Sequence, residues 1–185
     1  MRYPSNRNEK SRASLVHAGA SLAKRDGFAA CGVDALAGAA GLTSGAFYRH
    51  FEGKSELLGA IVASELDATR ARFEGIDGDV DILRAVDVYL SLGHVRHPEA
   101  GCLLPALAPE IARAPAATRA SFEAALEALV EVLAAKVGSR PLASALLTQC
   151  VGAVTVARGL ASEDAQREVL SAARASVRTL LEGKR

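Results

Sequence analysis

The sequence is poor in the residues from which β-sheets are usually built. Tryptophan is absent, aromatic residues make up 4% of the chain, and isoleucine occurs only 4 times in 185 residues. Alanine and leucine occur 38 and 23 times, and both are strong helix formers. Because β-branched and aromatic side chains are the ones enriched in strands, this composition excludes an all-β sandwich or barrel and predicts an all-α fold.

Disulfides and membrane spans are not expected either. Three cysteines are too few for a disulfide framework, and such a low content is typical of a reducing compartment. The most apolar stretch, Leu142 to Ala157, is interrupted by polar side chains and ends at Arg158, so it does not suit a bilayer. Residues 1–14 are polar and basic, unlike a secretory leader. We therefore expect a cytoplasmic protein with no membrane partner and no cofactor.

The net charge of +1 conceals an uneven distribution of charge along the chain. Residues 1–54 carry eight Lys/Arg and four Asp/Glu, whereas residues 55–185 carry 14 Lys/Arg and 17 Asp/Glu. A basic N-terminal part followed by an acidic remainder indicates that only the N-terminal part binds a polyanion such as nucleic acid. An asymmetry of this size also arises by chance, so the charge needs support from a motif.

The first 54 residues predict three short helices joined by glycine-containing turns. The predicted helices are Ser11–Arg25, Val33–Ala40 and Ser44–Phe51. Gly41 suits a positive-φ position in the second turn, and Thr43 suits the N-cap of the third helix. Two short helices joined by a tight turn with glycine have the spacing of a helix-turn-helix, although an ordinary helical corner shares these local features.

The third predicted helix has two different faces. At about 100° per residue, Phe47 and Phe51 lie together and are expected to face the core. Tyr48 and Arg49 lie on the opposite arc with the small Gly45. Such a surface combines polar groups with little bulk, which allows close approach to a nucleic-acid groove.

The motif in this region is specific enough to suggest a family. The stretch from Ala35 to Phe51 (ALAGAAGLTSGAFYRHF), followed by Lys54 to Leu58 (KSELL), closely resembles the TetR/AcrR family of transcriptional regulators. The resemblance lies between Gly27 and Leu66. It implies a helix-turn-helix DNA-binding domain over residues 1–54, a long connecting helix over about 55–73, and a C-terminal ligand-binding and dimerisation domain over 75–185.

By this resemblance, the third helix enters the major groove of a palindromic double-stranded DNA operator that is bound by a homodimer. Arg7 and Lys10 precede the first predicted helix and resemble a basic arm, although they are also typical of a solvated terminus. Two departures from the family pattern concern phosphate contacts: Cys31 and Gly32 replace hydroxyl residues, and Ser44 replaces a frequent lysine. The implied DNA-binding residues are Thr43, Ser44, Gly45, Tyr48, Arg49, His50, Lys54, Arg7 and Lys10.

The rest of the chain predicts a helical C-terminal half after a linker at Gly75–Asp79. Apolar stripes on the last two helices indicate either a dimer interface or the completion of the monomer's own core. The stripes comprise Leu146, Ala153 and Val156, then Val169, Ala173, Val177 and Leu180. The predicted helices are Val80–Arg96, Ala100–Arg113 broken by prolines, Pro115–Val137, Leu142–Leu160 and Ser162–Leu181.

Polar and aromatic residues within these apolar helices are candidates for a ligand pocket. They are Tyr89, His94, Cys102, Phe122 and Gln149, together with Cys150. Each is also compatible with a satisfied core position. The neighbourhood of Cys102 resembles a TetR subgroup that senses electrophiles or oxidants through a cysteine. A metal site at His94, His97, Glu99 and Cys102 is not expected, because Pro98 interrupts the segment.

These observations predict a ligand-responsive DNA-binding regulator rather than an enzyme, since no nucleophile motif is present. We expect a repressor released from its operator by a small apolar effector. The alternative is a thiol-based sensor that acts through Cys102 on the same DNA-binding scaffold. The helix Ser55–Phe73 is expected to be the only element that reaches both halves and transmits the signal.

Overall fold

A computed structural model describes residues 4–75 and 79–183, and this part of the chain is all α-helical, which confirms the predicted fold class. Residues 76–78, the centre of the predicted linker, lie outside the described residues. None of the described helices combines the length and the apolar composition needed to cross a membrane. The helices are α1 (Pro4–Asp26), α2 (Val33–Ala39), α3 (Ser44–Phe47), α4 (Lys54–Glu74), α5 (Asp79–Tyr89), α6 (Leu92–Arg96), α7 (Leu104–Ile111), α8 (Ala116–Val137), α9 (Arg140–Arg158) and α10 (Glu163–Glu182), with a 3-10 turn at Pro98–Ala100 between α6 and α7.

The turns around α2 follow from local sequence. Gly27 ends α1 with φ +84°, and Gly41 takes φ +69° between α2 and α3. L-residues with a side chain rarely adopt this left-handed region. Thr43 caps α3, because its side-chain oxygen accepts the Ala46 N–H at 3.3 Å. The predicted helix-turn-helix geometry is therefore present.

Two of the predicted helices end or break earlier than expected. The third helix was expected to run from Ser44 to Phe51, but α3 ends at Phe47 and continues as a turn, in which the His50 N–H donates to the Phe47 carbonyl at 2.9 Å. This tighter turn brings Phe51 into the core, where it is 1% exposed. The predicted helix Val80–Arg96 is divided, because Ser91 is extended and its hydroxyl accepts the His94 N–H to start α6.

The buried apolar residues form two clusters. The first joins α1 to α4 and also contains Leu103, Leu107 and Ile111 from the segment that includes α7. The second joins α5, α6, α8, α9 and α10. A division of the chain into domains at residues 54 and 75 remains a prediction, and the N-terminal helices share their core with α7.

The apolar stripes of the last two helices contain both buried and exposed side chains. Most of their members are buried within the chain, as Ala153 and Val177 are. Val156 and Leu180 are instead 54% and 39% exposed. The inner part of each stripe therefore completes the core of the single chain, and the outer part remains available to a partner.

Candidate functional site

The α2–α3 unit presents a polar surface on a rigid apolar base. Leu36 of α2 and Phe47 of α3 are completely buried. Tyr48 is 59% exposed, and its ring meets the Phe47 ring edge-on at 5.3 Å between centroids. The edge-on contact fixes one side of the tyrosine ring, so its hydroxyl is held out from the surface without being part of the core.

The other predicted contact residues of this unit have different local roles. Thr43 is used as a helix cap, and the Ser44 hydroxyl donates to the Asp34 carboxylate of α2. Gly45 and Arg49 are exposed, and His50 is half-buried. Gly45 and Arg49 are thus exposed together with Tyr48, while the hydrogen bond of Ser44 links α3 to α2.

The basic residues near the N-terminus do not form an arm ahead of the first helix, contrary to expectation. Arg7 and Lys10 lie within α1, which begins at Pro4, and both are exposed. The guanidinium of Arg12 lies 4.9 Å from the centre of the Phe51 ring, a cation–π contact. The basic side chains therefore project from a helix that is packed against the α2–α3 unit.

Lys54 has a structural role at the turn between α1 and α2. Its ammonium group donates to the carbonyls of Phe28 and Ala29 at 3.0 and 3.2 Å and lies 5.0 Å from the centre of the Phe28 ring. An ammonium group has three N–H donors, so one remains for another acceptor. A phosphate contact by Lys54 stays a prediction, and it would share the group with the α1–α2 turn.

A cavity of about 910 Å³ lies among α1, α4, α5, α6, α8 and α9. Small-molecule sites of proteins have volumes of about 300–1,000 Å³ and mostly apolar walls. Three of the five predicted ligand residues, Tyr89, His94 and Cys102, line this cavity with Cys150. Phe122 and Gln149 are not among its lining residues, and Phe122 packs against the core of the N-terminal helices. Much of the apolar wall comes from Ile82, Val86, Leu129, Leu133, Leu146 and Leu147.

His94 is held in the wall by both of its ring nitrogens. Nδ1 lies 2.7 Å from the Tyr89 carbonyl, to which it must donate, and Nε2 accepts the Cys102 N–H at 3.1 Å. Burial lowers the pKa of His94, although the hydrogen bond to the Tyr89 carbonyl opposes this shift. The imidazole is therefore a neutral structural bridge, and its ring stands edge-on to the Tyr89 ring at 4.3 Å.

The N-terminal part of the chain matches a known family model. Residues 15–61, from α1 to the first part of α4, match the model of the family described as bacterial regulatory proteins, tetR family. Over these residues the chain is similar to members of that family. No curated protein sequence matches this chain.

Several solved structures share the fold over almost the whole length of the chain. Reduced E. coli NemR is 20% identical, with a TM-score of 0.76 over 92% of this chain and 96% of that one. A TetR regulator from Chloroflexus aurantiacus is 23% identical, with a TM-score of 0.75 over 96% of both chains. FadR from Bacillus subtilis, solved in complex with stearoyl-CoA, is 14% identical, with a TM-score of 0.67 over 92% of this chain and 98% of that one. At these identities the likeness shows the fold alone.

The cysteines of the chain lie in surroundings that disfavour the thiolate. Burial is the main cause that raises the pKa of Cys102, and the neighbouring Leu104 backbone and Tyr89 side chain only partly oppose it. Burial also raises the pKa of Cys150 to about 12. Reactive cysteines need a lowered pKa and exposure. Among the described residues, no three His, Cys, Asp or Glu side chains come together as metal ligands.

Sequence reasoning missed the charged groups that join the cavity to the N-terminal helices. Lys24 of α1 donates to the Glu65 carboxylate of α4 at 2.8 Å and to the Gly101 carbonyl at 3.0 Å. The two side chains are only 5% and 23% exposed, and both residues line the cavity. Glu110 of α7 accepts backbone N–H groups of the α1–α2 turn. In the sequence these residues look like ordinary charged positions on helix surfaces.

More than one link joins the two halves of the chain. The long helix α4 was expected to be the only element that reaches both, but the 3-10 turn Pro98–Ala100 and α7 also pack against α1. That expectation is therefore wrong. The prolines that end α6 and begin α7 turn this segment back towards the N-terminal helices.

Replacing Gly101 with alanine is expected to destabilise the protein by about 1–3 kcal/mol, the usual cost of overpacking. A Cβ at this position would lie closer than 3.0 Å to the His94 ring, which is fixed at both nitrogens. Thermal unfolding should then shift down by about 2–4 °C per kcal/mol. The helical Gly38, which has open space around it, provides the control, since alanine there should be neutral or stabilising. Equal melting temperatures for Gly101→Ala and wild type would contradict the close contact.

Proposed function

We propose that this chain is a repressor of the TetR family that binds a palindromic operator as a homodimer and is released by a small, largely apolar effector. The observation that carries the proposal is the presence in one chain of an exposed α2–α3 surface and an apolar cavity of about 910 Å³. The cytoplasm, where both DNA and metabolites are present, is the matching compartment. Two sites in one chain are what a regulator of this kind requires.

The DNA-binding surface is centred on Tyr48. Its hydroxyl suits a phosphate oxygen, and Arg49 suits either a phosphate or a guanine edge. Gly45 allows the helix to approach the groove because it adds no side chain. Thr43 and Ser44 contribute by fixing α3 in its orientation, and Arg7 and Lys10 extend the positive surface along α1.

The dimer interface in this proposal uses the outer faces of α9 and α10. The exposed Val156 of α9 and Leu180 of α10 are accompanied by the small exposed residues Gly152, Ala172 and Ser176. Ala172, Ser176 and Leu180 follow one another every four residues and therefore share one face of α10. Two such helices from each protomer suit an isologous four-helix interface.

The effector site in this proposal is the cavity beside Tyr89. The Tyr89 hydroxyl is buried and has no well-formed hydrogen bond within the described residues, and burial, followed by the neighbouring Cys102 thiol, raises its pKa. A neutral hydroxyl in an apolar wall suits a ligand that carries one hydrogen-bond acceptor on an apolar body. FadR of the same fold was solved with stearoyl-CoA, which supports a small-molecule effector. The raised pKa of Cys102 favours reversible binding over thiol chemistry.

Footprinting and salt titration on the promoter DNA of the adjacent genes test the proposal. We expect two symmetric half-sites about 10 bp apart, or a small multiple of that spacing, because a dimer presents two recognition helices. Affinity should fall steeply with salt, by about 10³–10⁵ between 50 and 200 mM if 6–10 phosphates are contacted. A single asymmetric half-site occupied by a monomer, or affinity that is independent of salt, would contradict it.

A further inference from the structure

The segment from Gly101 to Glu110 is attached to the cavity at its first residues. Gly101 and Cys102 line the cavity. The Cys102 N–H donates to His94, whose other ring nitrogen holds the Tyr89 carbonyl. The Gly101 carbonyl accepts a hydrogen bond from the ammonium of Lys24, which also lines the cavity. A ligand that displaces this wall therefore moves the start of the segment.

The other end of the same segment holds the turn between α1 and α2. The two carboxylate oxygens of Glu110 accept the backbone N–H groups of Phe28 and Ala29 at 2.8 and 2.7 Å. Lys54 binds the carbonyls of the same two residues. The backbone N–H groups of both residues are thus bound by Glu110 and their carbonyls by Lys54, and the turn leads into α2.

The turn lies close to the Glu110 carboxylate. Gly27 has φ +84°, and a Cβ there would lie 3.3 Å from the Glu110 Oε1 atom. Hydrogen bonds to an ionised carboxylate are short and stronger than neutral ones. Because one carboxylate makes both bonds, a small displacement of α7 weakens both together, and α2 loses its fixed position beside α3.

We propose that Glu110 is the positioning residue through which the cavity sets the orientation of the DNA-binding helices. This inference rests on the proposed function and specifies its route. With the cavity empty, the carboxylate fixes the α1–α2 turn and hence the α2–α3 unit in the DNA-binding arrangement. A ligand displaces the segment at Gly101 and Cys102, α7 carries the carboxylate away from the turn, and the operator is released.

Coupling between two sites is reciprocal, so the route can be tested with operator DNA as the only probe. Amide hydrogen exchange of Cys102, whose N–H contacts the cavity wall, is measured with and without saturating operator duplex. In wild-type protein we expect operator binding to slow this exchange about 5-fold or more, the lower end of ordinary coupling. In Glu110→Gln, which removes one acceptor and the charge, the effect should fall below about twofold and operator affinity should fall about tenfold.

Two further variants separate the geometry from the charge. Glu110→Asp keeps the charge but is one methylene shorter, so it should behave like Glu110→Gln. Glu127→Gln, an equal change at an exposed position of α8, should behave like wild type. In free protein, the Phe28 and Ala29 amides should exchange faster in both Glu110 variants.

The outcomes distinguish this inference from the proposed function. Wild-type protein that binds no operator overturns the proposed function and, with it, the role of Glu110 in transmission. Operator binding with an unchanged Cys102 response in Glu110→Gln, or with no response in wild type, overturns the inference alone. Faster exchange of Phe28 and Ala29 with a fully retained Cys102 response shows a merely structural contact and also overturns it.

Discussion

Replacing Tyr48 with alanine is expected to lower operator affinity by about 100-fold or more, since hydrogen bonds to charged groups contribute about 1.5–3 kcal/mol each and a symmetric dimer loses two. The fold should persist, because Tyr48 is 59% exposed and only the edge-on contact with Phe47 is lost. Operator affinity is measured by fluorescence anisotropy, and folding by circular dichroism and sedimentation.

Tyr48→Phe is the matched variant for this prediction. It keeps the ring and its contact with Phe47 but removes the hydroxyl. If the hydroxyl binds a phosphate, the phenylalanine variant should lose most of the affinity on all sequences alike. The salt dependence should stay close to that of wild type, because the lost hydroxyl carries no charge. Wild-type affinity in a folded Tyr48→Ala protein would show that α3 does not meet DNA through this face.

Replacing Glu65 with glutamine is expected to destabilise the protein by about 3–5 kcal/mol, the cost of leaving a buried charge without its partner. The side chain of Lys24 is 5% exposed and has the Gly101 carbonyl as its remaining acceptor. In a chain of this size the melting temperature should fall by about 2–4 °C per kcal/mol. Urea unfolding gives the change in the free energy of unfolding directly.

A variant that lacks both charges tests the ion pair itself. Replacing both partners, as Lys24→Met with Glu65→Leu, removes both charges, and such replacements of buried pairs are often neutral or stabilising. The double variant should therefore be more stable than Glu65→Gln alone. A single variant as stable as wild type would show that water reaches the Lys24 ammonium in solution.

The geometry of the α2–α3 unit was predictable because it depends on residues that are close to one another in the sequence. Gly27 and Gly41 take positive φ, and Thr43 caps α3, each through groups within a few residues. The alternation of Phe47 and Tyr48 between inside and outside follows from helical periodicity. Composition was likewise sufficient for the all-α class, since few residues favour strands.

The errors concern helix ends and long-range contacts. The end of α3 at Phe47 depends on how Phe51 packs in the core. The break at Ser91 depends on its side-chain hydroxyl, which caps a new helix instead of letting the preceding helix continue. Arg7 and Lys10 were assigned to an arm, but α1 extends past them to Pro4. Phe122 and Gln149 are, like Tyr89, aromatic or polar residues within apolar helices, but they lie outside the cavity wall.

The sequence by itself determined the helical class and the turn chemistry of the α2–α3 unit. The tertiary structure alone decided which charged groups join the two halves. Lys24 and Glu65 are 41 residues apart, Lys24 and Gly101 are 77, and Phe28 and Glu110 are 82. Helical periodicity relates residues three or four positions apart. It carries no information on pairs that meet only when distant helices pack, and these pairs depend on how the whole core closes.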